Sequence, residues 1–113
     1  MIAQGDICWA DLPDPSGSGP GFRRPVVVVQ GEAFNRSAIA TAVCIPLTSN
    51  LGWEGAPGNV LLSSKETGLP KDSVANVSQI VAVDRSFLGR PVGRLSRKQV
   101  ERILTGIDVV LGR

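Results

Sequence analysis

RPVVVVQGEAFNRSAIATAVCIPLTS, residues 24–49, contains two apolar runs that read as strands. In the first, Pro25 biases Arg24 toward extended geometry just ahead of the β-branched Val26 to Val29. In the second, Ala38 to Leu47, the β-branched residues and the late Pro46 argue against a helix. Phe34-Asn35-Arg36-Ser37 separates the two runs, and Thr48-Ser49-Asn50 closes the second.

Working outward, Gly5 to Leu12 (GDICWADL) has the composition of a half-buried first strand. Pro13 to Arg23 holds three Pro, three Gly and two Ser, which makes it a surface loop rather than core. Downstream, residues 51–58 form a loop. Short strands are expected at Asn59–Ser63, Ser73–Val77 and Gln79–Val83, with Gly68-Leu69-Pro70 as a turn. The last element is a helix: Ser96 is placed to N-cap it, Gln99 to complete a capping box, and Gly112 to end it. Val100, Ile103, Leu104, Ile107, Val110 and Leu111 recur at helical spacing, a stripe that the sheet or a second copy must cover. The expected fold is mainly β, five to six strands with a C-terminal helix, in one domain spanning residues 1–113.

Composition removes several chemistries. The chain has no His, and its two cysteines, Cys8 and Cys44, each sit in an apolar run far from a second ligating thiol. Neither a zinc site nor a Ser-His-Asp or Cys-His arrangement can be assembled. No phosphate-binding glycine motif follows a strand, so no metal and no cofactor are expected. The N-terminus lacks signal-peptide character and no apolar stretch reaches membrane-spanning length, which points to the cytoplasm with both thiols reduced. Net charge is only +2, yet Arg85, Arg90, Arg94, Arg97, Lys98 and Arg102 are answered locally by Glu101 alone. This basic end is either a solvated face or a nucleic-acid footprint.

The remaining polar groups of interest lie at strand ends, where loops anchored on a rigid sheet carry function. Arg24 sits between the Gly/Pro-rich loop and a buried strand, and Thr48 with Ser49 follows the long apolar strand. An arginine there can hold a phosphate through two parallel hydrogen bonds. The alternative is an edge charge and an ordinary turn.

Gly5-Asp6-Ile7-Cys8-Trp9-Ala10-Asp11-Leu12, then Gly17-Ser18, then Arg24-Pro25-Val26-Val27-Val28-Val29 resembles the N-terminal signature of the MazF/PemK toxins. Phe34-Asn35-Arg36, Ile45-Pro46-Leu47-Thr48-Ser49 and Asp72 to Ile80 (DSVANVSQI) are similar to the family's later blocks, so nearly the whole chain is covered. The resemblance implies an SH3-like barrel of the CcdB/PemK type and a homodimer. It also implies metal-independent cleavage of single-stranded RNA by 2′-hydroxyl attack, leaving a 2′,3′-cyclic phosphate, under control of a cognate antitoxin. In the family the arginine of the Arg-Pro pair and the threonine of the Pro-x-Thr stretch are catalytic; these are Arg24 and Thr48 here. RNA contacts are expected from Phe22, Arg23, Asn35, Ser49, Trp53 and Gln79, with Trp9 either stacking on a base or belonging to the core. Many members carry an acidic residue after the Gly-Ser of the first loop, where this chain has Gly19. Asp11 and Asp14 are the nearby carboxylates. Two other readings stay open: a gyrase-poisoning toxin of the CcdB type, although this chain ends Val109-Val110-Leu111-Gly112-Arg113 without the aromatic residue such proteins use, and a plain SH3-like binding module.

Overall fold

A computed structural model of the chain describes residues 1–12 and 22–113; Gly17-Ser18, Gly19 and Asp14 lie outside the described residues, as does the body of the first loop. Among the described residues seven strands form one sheet, in the order β4-β5-β3-β2-β1-β7 with β6 also on β3. They are β1 (Asp6–Leu12), β2 (Phe22–Val28), β3 (Thr41–Thr48), β4 (Val60–Leu62), β5 (Ser73–Ala75), β6 (Val81–Asp84) and β7 (Gly93–Arg94). Every pairing is antiparallel. The mainly β class with a C-terminal helix is therefore as the sequence reads, with one very short strand, β7, beyond the expected five or six.

The valine run is continuous because β2 is covered on both faces. Val27 and Val29 join Ile7, Ile45, Leu47 and Leu62 in a cluster capped by Val100 and Ile103 of the C-terminal helix, α3 (Arg97–Leu111). Val26 and Val28 face the opposite way, into Cys8, Ala10, Ala42, Cys44 and Val83. Both thiols are buried there, and burial first, then a nearby negative charge, raises Cys8 to about 11 and Cys44 to about 12.

Pro46 is tolerated in a central strand because of where it falls. The outer edge of β3 pairs with β6 over Thr41–Cys44 and with β5 over Leu47–Thr48, so residues 45–46 lie at the change of partner. The Pro46 carbonyl accepts from Asn76 N at 3.1 Å on that outer side. A strand residue's N–H and C=O point the same way, so the missing N–H faces a gap that no ladder fills.

Several boundaries shift from the sequence reading. β2 starts at Phe22 rather than Val26, because the hairpin with β1 extends through Leu12–Phe22. β3 starts at Thr41, since Ser37 bonds back to Phe34 and holds a turn after the one-turn α1 (Glu32–Asn35). Residues Val77–Gln79 form a 3-10 turn instead of strand, and Leu51–Gly55 another. In α3, Ser96 caps by accepting from Gln99 N and Gly112 closes in the left-handed region at φ 72°, but the Gln99 amide bonds Glu66. The reciprocal capping box belongs instead to Ser63 and Glu66, at α2 (Ser64–Thr67).

Candidate active site

Two cavities of about 560 and 720 Å³ open at the same end of the sheet, and Arg24 and Thr48 line both. Their meeting follows from register. β2 and β3 pair as Val28–Cys44, Val27–Ile45 and Val26–Pro46; carried two residues further, that register sets Arg24 across from Thr48. Residues two apart on a strand share a face, so both side chains leave the sheet on one side. The alternation puts the neighbouring Arg23 on the other side, with its guanidinium 5.4 Å from the centre of the Trp9 ring and 3.6 Å from the Asp11 carboxylate. Asp11 is therefore tied to Arg23, and the residue of β1 opposite Arg24 is Ala10.

The smaller cavity is walled by Trp9, Pro25 and Leu47 and rimmed by Arg23, Arg24, Ser49 and Lys71. The larger holds Asn50, Trp53, Asn76, Ser78 and Gln79 beside Arg24 and Thr48. Among the described residues no carboxylate lines either one. Arg24 and Lys71, with Arg23 paired to Asp11 beside them, give a local field that favours a phosphodiester. Thr48 Oγ1 accepts from Asn50 N at 3.1 Å, which leaves its O–H to donate elsewhere. Trp53 is 52% exposed, an indole face open to a base.

Beneath the larger cavity the amides form a chain. Asn59 Nδ2 donates to the Trp53 carbonyl at 2.9 Å and to Asn76 Oδ1 at 3.2 Å, while Asn59 Oδ1 accepts from Val77 N. Asn76 Nδ2 in turn donates to Gln79 Oε1 at 3.0 Å. The amide chain spans the 3-10 turn Val77–Gln79, which takes up the end of one expected strand and the start of the next.

Arg24 and Thr48 thus line both cavities, Arg23 and Ser49 only the smaller, and Trp53 and Gln79 only the larger. Trp9 packs on the core, as one of its two readings has it, and also walls the smaller cavity. Phe22 contributes backbone to the β1–β2 hairpin. Asn35 is a correction: it is 1% exposed, bonded to Gln30 and Glu32, and lines neither cavity. Its amide holds α1 in place and does not reach the cavities. The basic C-terminal segment is likewise structural in large part. Arg94 pairs with the buried Asp6 at 2.8 Å, Arg97 bonds Glu101 and Gln4, and Arg85 donates to the Asn35 and Phe34 carbonyls. Sequence reasoning passed over Lys71 and Asn76; the first followed a plain turn, and the second stood inside an apolar block without periodic signal.

The model of the family described as "PemK-like, MazF-like toxin of type II toxin-antitoxin system" matches residues 3–111. A Mycobacterium tuberculosis protein named Endoribonuclease MazF6 is 40% identical over 111 residues, covering 98% of this chain and 97% of that protein. Endoribonuclease MazF of Staphylococcus saprophyticus is 31% identical, covering 99% and 92%. Among solved structures, MazF from Deinococcus radiodurans superposes with a TM-score of 0.81 at 21% identity, over 99% of this chain and 97% of that one. A mycobacterial endoribonuclease in complex with its cognate antitoxin gives 0.77 at 23%, over 99% and 96%.

Proposed function

Because the chain belongs to the PemK-like, MazF-like toxins of type II toxin–antitoxin systems, we propose that it is an endoribonuclease toxin that cuts single-stranded RNA at the opening shared by Arg24 and Thr48. The observation that carries this reading is their convergence: a guanidinium and a hydroxyl, each two residues beyond the last β2–β3 pair, Val26–Pro46, line both cavities.

The chemistry we assign is internal transesterification. The ribose 2′-hydroxyl gives up its proton as its oxygen attacks the adjacent phosphorus; a 2′-O–P bond forms, the P–O5′ bond breaks, and the departing 5′-oxygen takes up a proton, leaving a 2′,3′-cyclic phosphate and a 5′-hydroxyl with no net change in protons. Negative charge grows on the phosphoryl oxygens in the transition state. Donors fixed beside those oxygens stabilise it more than they stabilise the ground state. Arg24 serves as a permanently charged clamp, because a guanidinium stays protonated at any working pH. Thr48 supplies a neutral donor. No step of this scheme requires a metal or a cofactor. Arg23, Ser49 and Lys71 hold flanking phosphates, while Trp53 stacks an unpaired base and Gln79 bonds its edge.

Regulation by sequestration completes the proposal: a cognate antitoxin, acidic in its binding segment, covers the cationic rim and excludes RNA. The named antitoxin complex of a structural neighbour supports this. We also assign a homodimer in the cytoplasm; Val110 and Leu111, exposed at the end of α3, support a second copy. No helix among the described residues is long and apolar enough to cross a membrane.

The test is incubation of purified protein with a long RNA in EDTA, with end mapping. Arg24→Ala is expected to lower the cleavage rate by about 10²–10³, and Thr48→Val by at least about tenfold, with melting temperatures close to the parent's. Absence of cutting by the parent removes the ribonuclease reading; cutting that survives both substitutions removes the site assignment.

A further inference from the structure

We infer that Asn59 and Asn76 are positioning residues that fix the polarity of Gln79, so that the larger cavity selects RNA bases whose exocyclic group, at C4 of a pyrimidine or C6 of a purine, is a carbonyl oxygen rather than an amine. The inference rests on the ribonuclease reading and deepens it to a specificity rule.

A carboxamide can usually rotate by half a turn and exchange its donor and acceptor ends. Here the first member cannot. Asn59 is held at both ends by backbone groups of fixed character: its nitrogen faces the Trp53 carbonyl, an acceptor only, and its oxygen faces Val77 N–H, a donor only. Its second N–H then meets Asn76, which must answer with its oxygen. The Ser78 hydroxyl, 3.5 Å from the same oxygen, is compatible with that assignment. Asn76 is left with its nitrogen toward Gln79, and Gln79 must answer with Oε1. Each orientation dictates the next.

The consequence falls at the cavity wall. With Oε1 engaged below, the edge of Gln79 turned toward bound RNA is its NH₂ group, and one of its two N–H donors is enough for a bond to a base. Trp53 lines the same cavity with its exposed indole, the surface on which a base would stack, and Arg24 and Thr48 stand at the phosphate. A base lying on Trp53 with its exocyclic C4 (pyrimidine) or C6 (purine) group toward Gln79 is bonded when that group is a carbonyl oxygen, O4 of uracil or O6 of guanine. Cytosine and adenine offer an exocyclic amine on the corresponding edge and leave two donors facing one another.

Asn76→Asp reverses the relay with minimal change of shape. The introduced carboxylate still accepts from Asn59, but its second oxygen now needs a donor, so Gln79 turns over and presents Oε1 to the cavity. The expected result, from mapped cut sites on a long mixed-sequence RNA, is a relative loss of about tenfold or more at sites with uracil or guanine at one fixed position. Sites with cytosine or adenine there should gain. In a Gln79→Ala background, Asn76→Asp should leave the preference unmoved, because the effect passes through Gln79. Loss that is uniform across sequences would show that Gln79 touches a phosphate oxygen instead, and would overturn the inference.

A measurement on the unaltered protein covers the case in which Asn76→Asp fails to fold. An RNA carrying a 2′-deoxy ribose at the scissile position is titrated into ¹⁵N-labelled protein. The Gln79 side-chain NH₂ signals should shift strongly with an acceptor-bearing base and weakly with its amino counterpart. Equal shifts for both would refute the rule. A parent that cuts RNA with a preference indifferent to Asn76→Asp removes this inference alone; a parent that neither binds nor cuts removes the ribonuclease reading and this inference together.

Discussion

Replacing Gly106 by alanine sets helix propensity against packing, and the structure says which wins. Gly106 lies in the middle of α3, where alanine would ordinarily favour the helix by about 1 kcal/mol. A Cβ at this position, however, would stand 2.1 Å from the carbonyl oxygen of Gly58, a backbone atom with no side-chain freedom. The reverse contact is nearly as close, with a Cβ on Gly58 meeting the Gly106 carbonyl at 2.7 Å. Reaching the 3.4 Å of ordinary contact requires α3 and the Gly58 loop to part by about 1.3 Å. That opens the packing of Val100 and Ile103 on the core, a strain on the order of 1–3 kcal/mol for overpacked sites, and about 2–4 kcal/mol when a backbone segment must move with it. Net of the propensity gain, Gly106→Ala should lose about 1–3 kcal/mol, a fall in melting temperature of roughly 5–15 °C for a domain of this size. Calorimetry measures it directly. The segment displaced leads into Asn59, the root of the amide chain, so the variant should also cut RNA with blurred base preference at temperatures well below its melting point. A melting temperature equal to or above the parent's would mean that the helix and the loop are not in backbone contact, and the packing argument would fall.

Two further outcomes follow from the site and the core. Trp53→Ala should raise KM for RNA by about tenfold, within the 1–3 kcal/mol of one base stack, while leaving the melting temperature within about 1 °C, because the indole is exposed; a large loss of stability with unchanged KM would assign it to packing instead. The thiols set a limit at high pH. Cys8 and Cys44 keep their protons to about 11 and about 12 in the folded chain, whereas an unfolded thiol loses its proton near 9. The folded state therefore binds more protons between those values, and stability, fully present below pH 9, declines as pH rises toward 11. Denaturant midpoints at about pH 7, 9 and 10.5 should show that decline in the parent and a smaller one in Cys8→Ala/Cys44→Ala; parallel slopes would exclude the thiols as its source.

What sequence could and could not convey divides along a physical line. The valine run, Pro46, Ser96 and Gly112 act locally or through periodicity, and each landed in the element it implied. Strand β2 began four residues earlier than its apolar run because hairpin pairing with β1 carries Arg23 and Arg24 along, a tertiary constraint invisible in their composition. The amphipathic stripe of α3 was legible, but Gly106 and its contact with Gly58, far away in the chain, were not. At the site, Arg24 and Thr48 stood out as polar residues at strand ends, and the family resemblance singled them out. Asn35 resembled a family block and proved to be an anchor for α1, since a buried amide with satisfied partners looks the same in sequence as one poised for a ligand. Asn76 shows the converse: its importance lies in which atoms of Asn59 and Gln79 it connects, and nothing short of coordinates carries that.

Charge divides in the same way at a larger scale. A net charge of +2 is a weak sign of nucleic-acid binding, and the basic C-terminal segment that offered itself as a footprint is engaged elsewhere, above all in the pairing of Arg94 with the buried Asp6. What matters for an anion is the field where it binds. At the opening, Arg23, Arg24 and Lys71 line a cavity whose walls are Trp9, Pro25 and Leu47 and which no carboxylate lines among the described residues. Low-dielectric walls lengthen the reach of each charge, so Arg24 and Lys71 there count for more than cations spread over a solvated helix face, with Arg23 partly answered by Asp11. The chain thus stays near neutral overall, while positive charge gathers where β2 and β3 run out of shared ladder, beside the cleavage site proposed above.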